Sequence, residues 1–338
     1  MRDRILKAAR GEPADTTPIW IMRQAGRYLP EYREIRKKYS MEEVCRTPEL
    51  TVEVTLQPLR RFDLDAAILF SDLLVPLWGM GIPFDLVEGK GPVIQKALTP
   101  AELAALPPLD LANLEYTFEA IRTLRGELDR PLIGFTGAPF TFASYLIERK
   151  PSRDYPLTRA FLHAHPREWK ALMNRLADNL SLYLRAQIEA GVQMVQVFDS
   201  WVGVLSPDDF RERVKPYLVE QLEHLGNGVP RIYFSTGSSH LFPEFATLPA
   251  EVMGVDWRVS LTQAEAIFKG AYSLQGNLDP ILLLGNEGDL SLKTSEIVVE
   301  GQAVTGHIFN LGHGILPPTP PERVERLVDI VHEKGERR

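Results

Sequence analysis

"PIWIM", residues 18–22, is the stretch on which the fold turns. It is apolar, rich in side chains suited to a sheet interior, and sits between the polar "GEPADTT" and "RQAGRYLPEYR". Read as a strand, it becomes the first of eight short apolar runs. The others are Ala66–Phe70, Pro131–Phe135, Gln193–Phe198, Arg231–Phe234, Glu251–Val255, Tyr272–Leu274 and His307–Asn310. Between most of them lie segments of helical period, such as "LEYTFEAIRTLRGEL" and "WKALMNRLADNLSLYLRAQIEAG". Strands alternating with helices pair in parallel through right-handed crossovers. Eight of them predict an α/β fold of the closed (β/α)8 TIM-barrel type, with its active site at the C-terminal ends of the strands. An open doubly wound sheet is the other reading, but no glycine-rich phosphate loop speaks for it.

The chain of 338 residues is 44% hydrophobic and 25% charged, enough for one large core, so 1–338 is expected to be a single barrel domain. The Gly- and Pro-rich piece 85–109 breaks the rhythm and reads as an excursion, a hairpin over one end. No run approaches the roughly 18 apolar residues that a membrane-spanning helix needs. The N-terminus shows no secretory signal, and Cys45, the single cysteine, has no partner for an internal disulfide. A cytoplasmic address follows as the expectation. A net charge of −7 argues against a nucleic-acid partner.

Against that acidic background, residues 23–38 hold Arg23, Arg27, Arg33, Arg36, Lys37 and Lys38 but only Glu31 and Glu34. Arg33 to Lys38 read as a solvated helix face. Arg23 and Arg27 stand at a core boundary, where a charge is costly unless something anionic uses it. The other strand ends are also polar: Ser71-Asp72, Thr136-Gly137, Asp199-Ser200, Ser235-Thr236, Asp256-Trp257, Gln275-Gly276-Asn277 and His313. Asp72 is one carboxylate in the mostly apolar "AAILFSDLLVPLWGMG". It either caps the backbone that follows or meets a cation or ligand donors. Asp199 and Ser200 carry the same ambiguity with a helix cap. His313 lies between glycines in a loop, either bonded to backbone or free for chemistry. The close pair His163 and His165 reads as surface, so no metal site is expected. A hydrolase elbow of the G-x-S-x-G type is missing.

Together "IWIMRQAGRYLPEYR", "FSDLLVP", "GFTGAPFTFASYLIE", "VFDSWVG", "GVDWR", "LQGNLDP" and "FNLGHGILPPTP" resemble the uroporphyrinogen decarboxylase family of haem biosynthesis, in order and over the whole chain. Where the family has a "KG"-type turn after the fifth strand, this chain has "FSTGSSH". The resemblance implies a cofactor-free homodimeric barrel that converts four acetate side chains of uroporphyrinogen III to methyl groups, giving coproporphyrinogen III. It implies that Asp72 faces the pyrrole N–H groups and stabilises a cationic ring. Arg23, Gln24, Ala25, Gly26 and Arg27 would bind carboxylates with Tyr145, Ser200 and His313, between apolar walls from Phe135 and Phe198. Arg23 is also a candidate proton donor by position, although a pKa above ~12 makes guanidinium a poor acid; Tyr145, His313 and a substrate carboxylic acid are the alternatives. Two other classes compete. Related barrels transfer methyl groups with zinc and need His/Cys ligand sets. A non-enzymatic tetrapyrrole carrier would keep the arginines but gain nothing from a central Asp72.

Overall fold

The computed structural model describes residues 2–87 and 91–336. Seven parallel strands form one curled sheet in the order β1-β4-β5-β6-β7-β8-β9. They are β1 (Ala67–Ile68), β4 (Leu132–Gly137), β5 (Met194–Asp199), β6 (Arg231–Ser235), β7 (Val252–Gly254), β8 (Ser273–Leu278) and β9 (His307–Leu311). The expected excursion is a hairpin of β2 (Asp85–Val87) and β3 (Gly91–Val93), followed by the helix Pro100–Ala104.

The strands bury both faces, as parallel strands covered by helices must. Alternate residues divide between two clusters. Trp20, Ile68, Ile133, Met194, Ile232 and Ile308 share an inner cluster, on which Phe135 and Phe198 pack from the C-terminal side. Val195, Val197, Tyr233, Met253 and Phe309 belong instead to the outer layer beneath the helices. One glycine shows how closely that layer fits. The 25-residue helix Pro166–Ala190 stops at Gly191, φ +122°, where a Cβ would fall 2.7 Å from the Arg125 side chain.

The expectation for residues 18–22 needs correction. Pro18–Met22 is not a strand of the sheet; it makes one parallel bridge, Ile19 to Phe309. The reason is that side chains capture its donors. Pro18 has no N–H, Ile19 N–H donates to Asp65 Oδ2 (2.9 Å), Ile21 N–H to Gln24 Oε1 (3.1 Å) and Met22 N–H to Asn310 Oδ1 (2.9 Å). A ladder cannot propagate through those residues. The segment nevertheless lies beside β9, with Trp20 N–H on Phe309 O and Phe309 N–H on Pro18 O. On its other side Asp65 N–H donates to Ile19 O, just ahead of β1.

Candidate active site

The loop leaving Pro18–Met22 is held from several directions. Ile315 N–H donates to Met22 O at 3.0 Å, tying it to the loop after β9. Arg23 then adopts a left-handed backbone, φ +64°, an unfavourable conformation for a residue with a Cβ. Gly26 is needed close by, because a Cβ there would lie 3.0 Å from Arg23 O. Gly314 leaves room for the Arg23 side chain, since a Cβ would fall 2.5 Å from its Cδ. The glycines flanking His313 in the sequence were the available sign of this close approach.

Around Arg23 the structure gathers residues from three distant parts of the chain. Asp72, half-buried after β1, accepts the Leu74 N–H on Oδ1 at 2.9 Å. Its Oδ2 has no protein partner among the described residues. Burial pushes its carboxyl up to about 6, while the Leu74 N–H and the Arg23 charge pull the other way. Tyr145, 7% exposed on the helix Pro139–Glu148, has its phenol raised above the ordinary value by burial and by the Asp72 charge, with Arg23 opposing. His313, half-buried in the loop after β9, has its pKa lowered by burial and then by Arg23, with Arg258 adding to the effect. Arg23 therefore acts on Asp72, Tyr145 and His313 together.

The remaining expected residues are placed as follows. Arg27 is exposed and its guanidinium has no acidic partner among the described residues. Its carbonyl accepts Arg33 Nη1 at 2.9 Å, so Arg33 braces the loop as well as facing water. In this loop the N–H groups of Ala25, Gly26 and Arg27 have no acceptor among the described residues. Phe135 and Phe198 meet edge to face, centroids 5.6 Å apart, and Phe198 continues to Phe234 at 6.0 Å. Ser200 is half-buried, its carbonyl accepting Thr236 Oγ1 at 3.4 Å and its hydroxyl free of protein partners among the described residues.

Gln24 is placed differently from the expectation. It is 0% exposed, its Oε1 accepts the Ile21 N–H and its Nε2 donates to Ala66 O at 3.1 Å. Both ends of the amide brace the loop from beneath. Sequence reasoning also missed Asn310, which orients Met22, and Trp201, whose ring lies 6.0 Å from that of Tyr145. The segment Ser235 to His240 is knitted to its surroundings: Ser235 and Ser238 hydroxyls are 2.6 Å apart, Gly237 N–H donates to Asp256 Oδ2, and His240 Nε2 reaches Leu205 O at 2.9 Å. Asp256 also accepts Arg258 Nη1 at 2.6 Å.

Among the described residues, one trio could chelate a metal: Asp178, Glu220 and His224, with ligand atoms within 4.8 Å of one another. It shares no residue with the strand-end group.

A barrel-like α/β scaffold that carries arginines, free backbone donors and one poorly solvated carboxylate beyond its strand ends is suited to an enzyme acting on an anionic ligand. The comparisons make this specific. The uroporphyrinogen decarboxylase family model matches residues 1–334. A uroporphyrinogen decarboxylase of Sorangium cellulosum is 48% identical, covering 98% of this chain and 96% of that protein. One from Streptomyces avermitilis is 47% identical, covering 98% and 94%. The chain belongs to the uroporphyrinogen decarboxylase family, which are carboxy-lyases. A methyltransferase from Methanosarcina mazei shares the fold, with a TM-score of 0.80 at 23% identity over 98% of both chains. No helix among the described residues is long and apolar enough to cross a membrane.

Proposed function

We propose that the protein removes carbon dioxide from the four acetate side chains of uroporphyrinogen III, giving coproporphyrinogen III in haem biosynthesis, with no metal or organic cofactor. The observation that carries this reading is Asp72: a carboxylate with one free oxygen, held in a poorly solvated place beside Arg23. A pyrrole acetate loses carbon dioxide only if the electrons of the breaking C–C bond have somewhere to go. Protonation of the adjacent ring carbon makes the ring cationic, and the ring then accepts that electron pair. The resulting exocyclic methylene takes up a proton to become a methyl group, and the ring carbon gives back the proton it gained, restoring the neutral pyrrole. Net, each acetate and one proton give a methyl group and carbon dioxide.

Asp72 faces the ring N–H groups and stabilises the cation. At about 4 Å and an effective dielectric of about 20, that attraction is ~4 kcal/mol before desolvation, on the order of a thousandfold in rate. Arg23 and Arg27 clamp substrate carboxylates, which the planar guanidinium grips better than lysine. The free N–H groups of Ala25, Gly26 and Arg27 add donors. Gln24 serves by holding their loop rather than by reaching the substrate. Tyr145, Ser200 and His313 bind further carboxylate oxygens, and Phe135 and Phe198 flank the macrocycle. Burial weakens the Tyr145 phenol as an acid, as the high guanidinium pKa does for Arg23, and His313 and a substrate carboxylic acid stand beside these two as proton sources.

The same reading extends to architecture. Pro18–Met22 fills the eighth wall position between β9 and β1, so that residues 1–338 form one (β/α)8-type barrel. Its hydrogen bonds on both sides support this. A cytoplasmic homodimer completes the proposal, supported by the exposed apolar Ile281 and Leu284 just beyond the C-terminal end of β8. The test is Asp72→Asn. It should still bind the substrate while losing most turnover; unchanged turnover would remove Asp72 from the mechanism.

A further inference from the structure

One buried ionisable side chain near the site has no part in the mechanism above. Asp199 ends β5 with its side chain turned to the outer face of the sheet, 0% exposed. Its carboxylate accepts Thr141 Oγ1 at 2.8 Å and Tyr233 Oη at 3.0 Å. No basic side chain pairs with it among the described residues. Burying an unpaired carboxylate is costly, and a neutral side chain of similar volume would serve stability better. The bonds it makes therefore point to a different use.

What they connect is specific. Thr141 stands in the first turn of the helix Pro139–Glu148, and Tyr145 follows four residues later, on the same side of that helix. The residue before this helix is Ala138, which has no side chain to cap it. Its N–H donates to Phe198 O at 2.9 Å. The start of the helix is thus fixed to β5 by one backbone bond and by the Thr141–Asp199 bond. Tyr233 anchors the same carboxylate to β6.

We propose that Asp199 is a positioning residue: by holding Thr141 and Tyr233 at once, it sets the first turn of this helix so that Tyr145 stands beside Asp72 and Arg23. The catalytic consequence rests on the decarboxylase reading; the geometric claim does not.

The experiment places 3-fluorotyrosine at position 145 of the full chain and follows its 19F resonance. Thr141→Val removes one tie while keeping volume and the Asp199 carboxylate; Thr141→Ser keeps the hydroxyl. Thr141→Val is expected to shift or broaden the resonance, and Thr141→Ser to return it. In parallel, Thr141→Val should lower kcat/KM for decarboxylation about tenfold, and Thr141→Ser should restore it. In a Tyr145→Phe background the same change should add little, since both act through one side chain. Asp199→Asn, which retains shape, should move the resonance in the same direction as Thr141→Val.

A resonance unmoved by both Thr141→Val and Asp199→Asn overturns the proposal. So does a loss of kcat/KM of equal size with and without the Tyr145 hydroxyl. A wild-type protein that binds the substrate without decarboxylating it would refute the decarboxylase reading, and the resonance would still decide whether Asp199 positions Tyr145.

Discussion

Asp72→Asn should stabilise the fold while it abolishes the reaction, and the stabilisation should depend on pH in a defined way. The Asp72 carboxyl titrates at about 6 in the fold, against 3.8 in an exposed chain, chiefly because burial penalises its charge. The folded protein thus holds this proton more tightly than the unfolded chain does. Well below pH 4 the group is protonated in both states and has no effect on stability. Between 4 and 6 the unfolded chain ionises first, and a destabilising contribution grows. Above about 6 it is fully present, at roughly 3 kcal/mol. Asparagine carries no charge, and its Oδ1 can still accept the Leu74 N–H. At pH 7.5 the variant should melt up to about 4 °C higher than wild type, given the unfolding entropy of a chain this size. At pH 4 most of that gap should be gone. The assay is a thermal scan of both proteins at the two pH values without substrate. A variant less stable than wild type at pH 7.5, or a gap that persists unchanged at pH 4, would refute the claim that Asp72 is a poorly solvated charge maintained for function.

Other consequences can be checked with equal directness. Arg27→Ala should raise KM more than it lowers kcat, because the exposed Arg27 is proposed to bind substrate carboxylates; steady-state kinetics would show the reverse if it were catalytic. Gly314→Ala puts a methyl group 2.5 Å from Arg23 Cδ, so it should raise KM several-fold with little change in melting temperature. His313 should titrate below the ordinary 6.5 in an NMR pH series, and Arg23→Gln should bring that midpoint back up, since burial and the Arg23 charge depress it. In the free enzyme kcat/KM should fall as pH drops through about 6, as Asp72 gains its proton, and Asp72→Asn should lose that acid limb.

The sheet was legible because its strands are short apolar runs that both faces bury. The strands from β4 onwards lie where those runs fall, β8 continuing through Gln275-Gly276-Asn277 to Leu278. Pro18–Met22 departs from its strand-like composition for a tertiary reason. Its N–H groups go to Asp65, Gln24 and Asn310 side chains, and the Asp65 and Asn310 partners are remote in the chain. Charge next to an apolar run pointed to Arg23 and Asp72, and the structure does bring them within electrostatic reach of each other. Nothing local marked Gln24 as inward-facing: a glutamine between two arginines reads as exposed, yet its amide braces Ile21 and Ala66. Asp199 was equally ambiguous, since its partners Thr141 and Tyr233 come from other strands and helices. Residues proposed to meet the substrate stand out in the sequence as chemistry out of place, whereas residues that hold them depend on contacts that only folding creates.

The central claim is tested most directly by anaerobic incubation of the purified protein with reduced uroporphyrinogen III, in the presence of a chelator and without added cofactor. Products are oxidised and separated by their number of carboxyl groups. A ladder running from the octacarboxylate down to the tetracarboxylate is expected. Substrate that binds but keeps all its carboxylates would contradict it.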